Sequence, residues 1–201
     1  LNRKKAEESA KFFEKAGYGL VVLHNVDGGG YDDPQYWSKR CKWCRQKWGD
    51  DRAAADAHLY RIWYDAFKRL APHVTFGAIQ YPYGAWILLD PQHPQYQRTR
   101  NYWLRLHRLL PQDPTFCVCV RERTAEAISR FYEIFDTRPV LVYWMTDTTW
   151  GDHRWCPVFT SRVRYAKTFL RPGRRDWIFA YSSGCLPLTT IAGAQYLWNC
   201  N

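Results

Sequence analysis

No apolar run in the chain approaches the roughly 18–20 residues that a helix needs to cross a bilayer, so the sequence offers no membrane span and no membrane partner. Phosphate cradles are missing too. Gly28-Gly29-Gly30 is not a GxGxxG turn, and nothing resembles a GxxxxGK segment followed by Ser or Thr, which removes the common nucleotide-binding signatures. Cys41 and Cys44 form one CxxC, but no second CxxC stands at a distance that would complete a zinc ribbon. The odd total of 7 cysteines argues against a fully paired disulfide scaffold. His24 and His153 stand alone, outside any HExxH or facial-triad spacing, so neither a metal nor another cofactor is expected. Nothing after Leu1 resembles a secretion signal.

What is present describes a folded domain. The chain is 46% hydrophobic and 24% charged, the balance of a globular protein rather than a disordered one. Its net charge of +10 would suit an acidic partner, yet the basic residues concentrate only over Arg162–Arg175 and otherwise scatter as a solvated basic face. No nucleic-acid-binding module accompanies them, which makes nucleic acid the weakest of the partner readings. Aromatic residues reach 17%, and many stand in loop-like sequence: Tyr31, Tyr36, Trp37, Trp43, Trp48, Tyr81, Tyr83, Trp86, Trp150 and Trp155. Aromatic faces outside helical periodicity are suited to stacking on bases or on the apolar faces of sugar rings.

Five short apolar or β-branched runs, Leu20–Val26, Val74–Gln80, Phe116–Val120, Pro139–Met145 and Trp177–Ala180, predict strands. Helical spacing is expected over Arg3–Ala16, Asp51–Leu70, Thr99–Leu110, Arg121–Phe135 and Leu188–Trp198. In the second of these, Leu59, Ile62, Trp63, Ala66, Phe67 and Leu70 make one stripe. In the fourth, Ala125, Ile128, Tyr132 and Phe135 do. Alternating strands and helices mean an α/β fold with a parallel sheet and crossover helices, and near-continuous apolar runs mean strands buried on both faces. A doubly wound sheet and a TIM barrel both fit. Long aromatic-rich segments after the strands, and polar residues at their ends, favour the barrel, whose chemistry sits at its C-terminal face. About five strands against the eight of a (β/α)8 barrel predict that residues 1–201 are a single domain, the C-terminal portion of a larger barrel. The rest would come from a missing N-terminal part or from another chain.

The first strand runs into Asp27, followed by Gly28-Gly29-Gly30-Tyr31-Asp32-Asp33. A carboxylate at a strand end, with glycines opening space beside it, suits acid/base work, although Asp27 could equally cap its own loop. Asp32 and Asp33, before Pro34, are alternative carboxylates that also read as a turn or helix cap. The fourth run continues through Trp144 to Asp147 and then to Trp150-Gly151-Asp152. An indole wall beside carboxylates suits a sugar site, with Trp144, Asp147 and Asp152 as binding residues and Tyr81 and Tyr83 assisting. A partly desolvated Asp27 among aromatics would have a raised pKa, as a general acid requires. Cys117 and Cys119 would share one face of a strand as buried thiols, while Cys41 and Cys44 could staple their own loop or hold a metal.

The ending Ala180-Tyr181-Ser182-Ser183-Gly184-Cys185-Leu186-Pro187, with Thr190–Asn199 closing on Tyr196-Leu197-Trp198-Asn199, resembles the close of the catalytic barrel in the O-GlcNAc hydrolase and hyaluronidase-like family of β-N-acetylglucosaminidases. Pro139–Asp152 looks like that family's strand carrying a Trp and a run of Asn/Asp, and Ala54–Tyr83 like its following helix and strand. Leu20–Asp27 falls where the family carries its catalytic carboxylates. The resemblance implies a TIM-barrel glycoside hydrolase acting on a carbohydrate substrate, through substrate-assisted retaining hydrolysis of N-acetylated glycans. One carboxylate would orient the 2-acetamido group while its neighbour protonates the leaving oxygen. The family has two adjacent carboxylates there, whereas Asp27 is flanked by Val26 and Gly28, and Thr146 stands where the family has an amide. Those departures keep a non-catalytic carbohydrate-binding barrel open as the alternative.

Overall fold

The five apolar runs form the strands β1 (Leu20–His24), β2 (Thr75–Ile79), β3 (Cys117–Val120), β4 (Val140–Met145) and β5 (Trp177–Tyr181). The structure is a computed structural model that describes residues 2–24, 39–79, 85–120, 125–145, 171–174 and 176–181. All five strands are parallel and pair in the order β1-β2-β3-β4-β5. Strands β1 and β5 start where the apolar runs do, whereas β2, β3 and β4 start one residue later, for local reasons. The N–H groups of Val74 and Phe116 close turns onto Ala71 O and Asp113 O, each at 3.0 Å, so neither enters the ladder as a donor. Pro139 has no N–H to give, and only its carbonyl takes part, accepting from Val118 N at 3.1 Å.

Five α-helices are described: α1 (Asn2–Ala16), α2 (Lys42–Trp48), α3 (Arg52–Leu70), α4 (Tyr96–Leu109) and α5 (Ala125–Ile134), with a 3-10 turn at Ala85–Leu89. The helix expected over 188–198 lies outside the described residues. Asp51 caps α3 by accepting from Ala54 N at 3.0 Å, which satisfies one of the orphan donors of its first turn. Gly49, at φ +48, ends α2 in the left-handed region that side chains avoid. Helix α2 is not foreshadowed by periodicity, because none of its residues is buried. Trp43 and Trp48, expected in a loop, lie on it, and Trp86 lies on the 3-10 turn.

Right-handed crossovers that always step the same way put every helix on one face of the sheet. The packing agrees. Helix α1 lies against α3, α3 against α4, and α5 against the 3-10 turn and α4. There is no reversal of strand order among the described strands, and so no doubly wound switch point within them. Side chains alternate accordingly. Val21, Leu23, Phe76, Ala78, Val118, Val120 and Val140 join the helix-side core with Tyr60, Phe67, Trp103, Leu106, Phe131 and Phe135. Burying a side chain of that size contributes about 1.5–3 kcal/mol. Leu20, Val22, Ile79, Cys117, Cys119 and Leu141 point the other way and form a second, smaller cluster.

The amino edge is held by ionic staples. The Asp176 carboxylate, with 0% side-chain exposure, pairs with Arg171 Nε at 2.8 Å and accepts from Val140 N at 2.9 Å. Arg171 also donates to Arg138 O at 2.7 Å and Asp136 O at 2.9 Å. Arg138, itself buried, donates to Pro111 O at 2.7 Å and His107 O at 3.1 Å. One step further round, Asp113 pairs with Lys68 at 2.8 Å and accepts from the Tyr64 hydroxyl.

The face away from the helices carries two cysteines among its aliphatic side chains. Cys117 and Cys119 are both buried, as the alternation predicts, and burial pushes the Cys117 thiol up to about 12. Gly77 lies beside Cys117, and a Cβ there would overlap the Cys117 Sγ. Gly77→Ala should therefore destabilise the fold by about 1–3 kcal/mol in urea unfolding, the usual cost of overpacking. Adding Cys117→Ala should recover most of that loss, and purely additive effects would show that the two positions do not share the space.

Candidate functional site at the carboxyl edge of the sheet

Because the strands are parallel, whatever follows each of them leaves at the same edge. The register runs His24 to Ile79, Ile79 to Cys119, Cys119 to Leu141 and Leu141 to Trp177. Strands β1 and β2 stop at that level, while β4 and β5 continue past it to Met145 and Tyr181, paired with each other throughout. The edge is thus stepped, low at β1 and β2 and high at β4 and β5.

Of the predicted site residues, Trp144 lies on β4, with its backbone opposite Ala180 of β5. Asp27, Asp32, Asp33, Tyr81, Tyr83, Asp147 and Asp152 lie outside the described residues. Along the sequence, Asp27 comes three residues after the end of β1, and Asp147 two after the end of β4. Just below the edge the inner face is apolar, consisting of Ile79, Cys119 and Leu141. Among the described residues, no group of three or more His, Cys, Asp or Glu side chains is placed to hold a metal ion. Among them too, no helix is long and apolar enough to cross a membrane.

Behind the edge lies a polar network that the apolar pattern does not reveal. The Tyr60 hydroxyl, fully buried, donates to the carbonyl of Ile79, the last residue of β2, at 2.7 Å. One turn earlier on α3, Asp56 is 3% exposed and accepts from the Tyr102 hydroxyl of α4 at 2.6 Å. Arg52, a further turn back, brings its Nε within 3.5 Å of the same carboxylate and its guanidinium over the Tyr102 ring at 5.4 Å. Burial, followed by the Asp56 charge, holds the Tyr102 phenol well above its ordinary range, so it stays a proton donor. Asp51 adds an ion pair to Arg105 at 3.1 Å.

Together these bonds fix the first half of α3 against α4 and against the end of β2, from which the chain continues to Tyr81 and Tyr83. Of the stripe expected on α3, Ala66 and Phe67 are buried and Ile62, Trp63 and Leu70 pack against the core, and only the first half of the helix differs. Ala53, Asp56, Ala57 and Tyr60 are buried, whereas Leu59 is half-buried outside the core. The available signal was Arg52, Asp56 and Tyr60 at successive four-residue steps, a helix face of complementary polar groups.

No protein-family model and no curated protein matches the sequence. Among solved structures the chain is similar to bee venom hyaluronidase in complex with a hyaluronic acid tetramer, with a TM-score of 0.41 and 11% sequence identity. The match covers 98% of this chain and 60% of that one. A likeness at this level decides neither fold nor chemistry, which rest on the strands and side chains described above.

The Tyr60 bond carries the first expectation for the site. Tyr60→Phe leaves the Ile79 carbonyl without that donor and should cost about 1–3 kcal/mol in urea unfolding, with an unchanged denaturant slope. A variant as stable as the parent would show that the bond does not anchor the end of β2.

Proposed function

We propose that residues 1–201 are a single domain, the C-terminal portion of a (β/α)8 barrel, and that this barrel is a glycoside hydrolase acting on a glycan. The observation that carries the reading is the sequential, all-parallel order of the strands with their helices on one face. In such an arrangement the segments after β1, β2 and β4 converge on one edge, and those segments bear Asp27, Tyr81 and Tyr83, and Asp147 and Asp152. The register supports the grouping. His24 is level with Leu141, so Trp144 stands as far past that level on β4 as Asp27 does along the sequence after β1. The outer strands β1 and β5 each have one paired neighbour among the described residues, and the remaining strands of the barrel would complete them.

In this reading Asp27 carries the acid/base role, with Asp32 and Asp33 as alternative carboxylates. A protonated carboxyl gives its proton to the glycosidic oxygen as the bond to the anomeric carbon breaks, and the resulting carboxylate then takes a proton from the attacking water. Trp144, Tyr81 and Tyr83 supply stacking walls, and Asp147 and Asp152 bind sugar hydroxyls. The resemblance of Ala180–Asn199 to β-N-acetylglucosaminidase barrels directs the first test to N-acetylated hexosamine glycans. A non-catalytic carbohydrate-binding barrel is the second reading, favoured by the single carboxylate between Val26 and Gly28.

Asp27→Asn is near-isosteric and should leave sugar binding intact while cutting hydrolysis of a chromogenic N-acetylhexosaminide by about 10²–10⁴-fold. Saturable sugar binding with no hydrolysis by the parent protein would move the binding barrel ahead. Equal rates for parent and variant would remove Asp27 from the mechanism.

A further inference from the structure

The Cys41-Lys42-Trp43-Cys44 segment has no part in the carbohydrate reading, and its geometry is that of a working thiol pair. Cys41 is the N-cap of α2, its Sγ accepting from Cys44 N at 3.4 Å. Its thiol is exposed and that of Cys44 half-buried, and both are free. The Cys41 sulfur thus accepts from the backbone of Cys44, which holds the two cysteines together at the first turn of α2. Cysteines three apart at the start of a helix have Cβ atoms about 5–6 Å apart, and a small backbone adjustment at the N-cap closes that to the roughly 3.5–4.5 Å of a disulfide. The surroundings are cationic, with Arg40, Lys42, Arg45 and Lys47 within the same stretch, which favours a thiolate and an approaching anionic disulfide. Hydrogen bonding from Cys44, its backbone N–H first, holds the Cys41 thiol below its ordinary range, and the interaction with Cys41 raises that of Cys44. By contrast, Cys117 is fully buried and inert on the inner face of the sheet.

We propose that Cys41 and Cys44 form a reversible dithiol–disulfide site that exchanges with small-molecule disulfides of the glutathione class, Cys41 acting as the nucleophile and Cys44 as the resolving thiol. The Cys41 thiolate attacks one sulfur of the small disulfide, forming a mixed disulfide and expelling one small thiolate. Cys44 then loses its proton to solvent and attacks the Cys41 sulfur, breaking the mixed bond and expelling the second small thiolate. Both expelled thiolates take up protons. The protein dithiol is oxidised by two electrons and the small disulfide is reduced to two thiols.

The test uses the intact protein, reduced and then equilibrated with glutathione and glutathione disulfide at graded ratios, trapped in acid and digested with trypsin. A linked pair of peptides, Cys41-Lys42 joined to Trp43-Cys44-Arg45, should appear as the buffer becomes more oxidising and vanish on return to reducing buffer. Cys44→Ser should stop at a glutathione mixed disulfide on Cys41, and Cys41→Ser should form no intramolecular bond. In the reduced protein, iodoacetamide should modify Cys41 at least about tenfold faster than Cys44, a difference that unfolding in urea abolishes. Equal alkylation of the two in the folded protein, a mixed disulfide that persists on the parent, or linkage of either residue to another cysteine would each overturn the proposal.

Discussion

A carboxylate with no exposed surface fixes the amino edge of the sheet, and the rest of the architecture depends on it. Asp176 stands just before β5 and accepts from the first N–H of β4, while Arg171 neutralises it and reaches on to the carbonyls of Asp136 and Arg138. Burial alone would raise the Asp176 pKa, but the bonds from Arg171 and Val140 outweigh it and hold the group ionised below the usual carboxylate range. A buried charge of this kind tolerates no vacancy, since removing one partner strands the other at a cost of about 3–5 kcal/mol. Arg138 extends the same logic to the segment before β3 through Pro111 and His107. The entrances of β4 and β5, and the turns leading to them, are therefore set by directional bonds rather than by apolar packing alone.

That rigidity at one edge bears on what the other can do. The sheet between them is two-sided but unequal, with a large helix-side core and a smaller apolar cluster on the other face, where Gly77 sits against Cys117. The buried aromatic residues Tyr60, Phe67, Trp103, Phe116, Phe131 and Phe135 lie in the helix-side core. At the carboxyl edge the Tyr60, Asp56, Tyr102 and Arg52 group repeats the strategy of the amino edge, with buried polar groups bonded to the end of a strand. A strand end anchored in this way is held by directional bonds as well as by packing.

The strands were legible because runs such as Val74–Gln80 are apolar on both sides, and only a strand covered on both faces needs that. Their exact starts were not, since they depend on whether Val74, Phe116 and Pro139 have an N–H free for the ladder. Helix α2 escaped notice because it buries nothing, and a periodicity test reads only burial. On α3 the same test chose Leu59 over Asp56, because it treats a carboxylate as outward-facing unless a partner is known, and Tyr102 lies 46 residues further along the chain. Of the candidate site, Trp144 was correctly assigned to a strand, and the common edge shared by β1, β2 and β4 follows from their parallel pairing. The carboxylates around Asp27 were chosen by residue type and position after a strand, a signal that loop-capping aspartates share.

The most direct measurement is a titration of the isotopically labelled intact chain with a short N-acetylhexosamine oligosaccharide, followed by amide chemical shifts. Binding at the carboxyl edge predicts saturable shifts in residues that close β1, β2 and β4, including Ile79 and Trp144, while Arg138, Arg171 and Asp176 at the amino edge stay unchanged. Shifts confined to the amino edge, or no saturable shifts up to the solubility of the sugar, would contradict a carbohydrate site at the carboxyl edge.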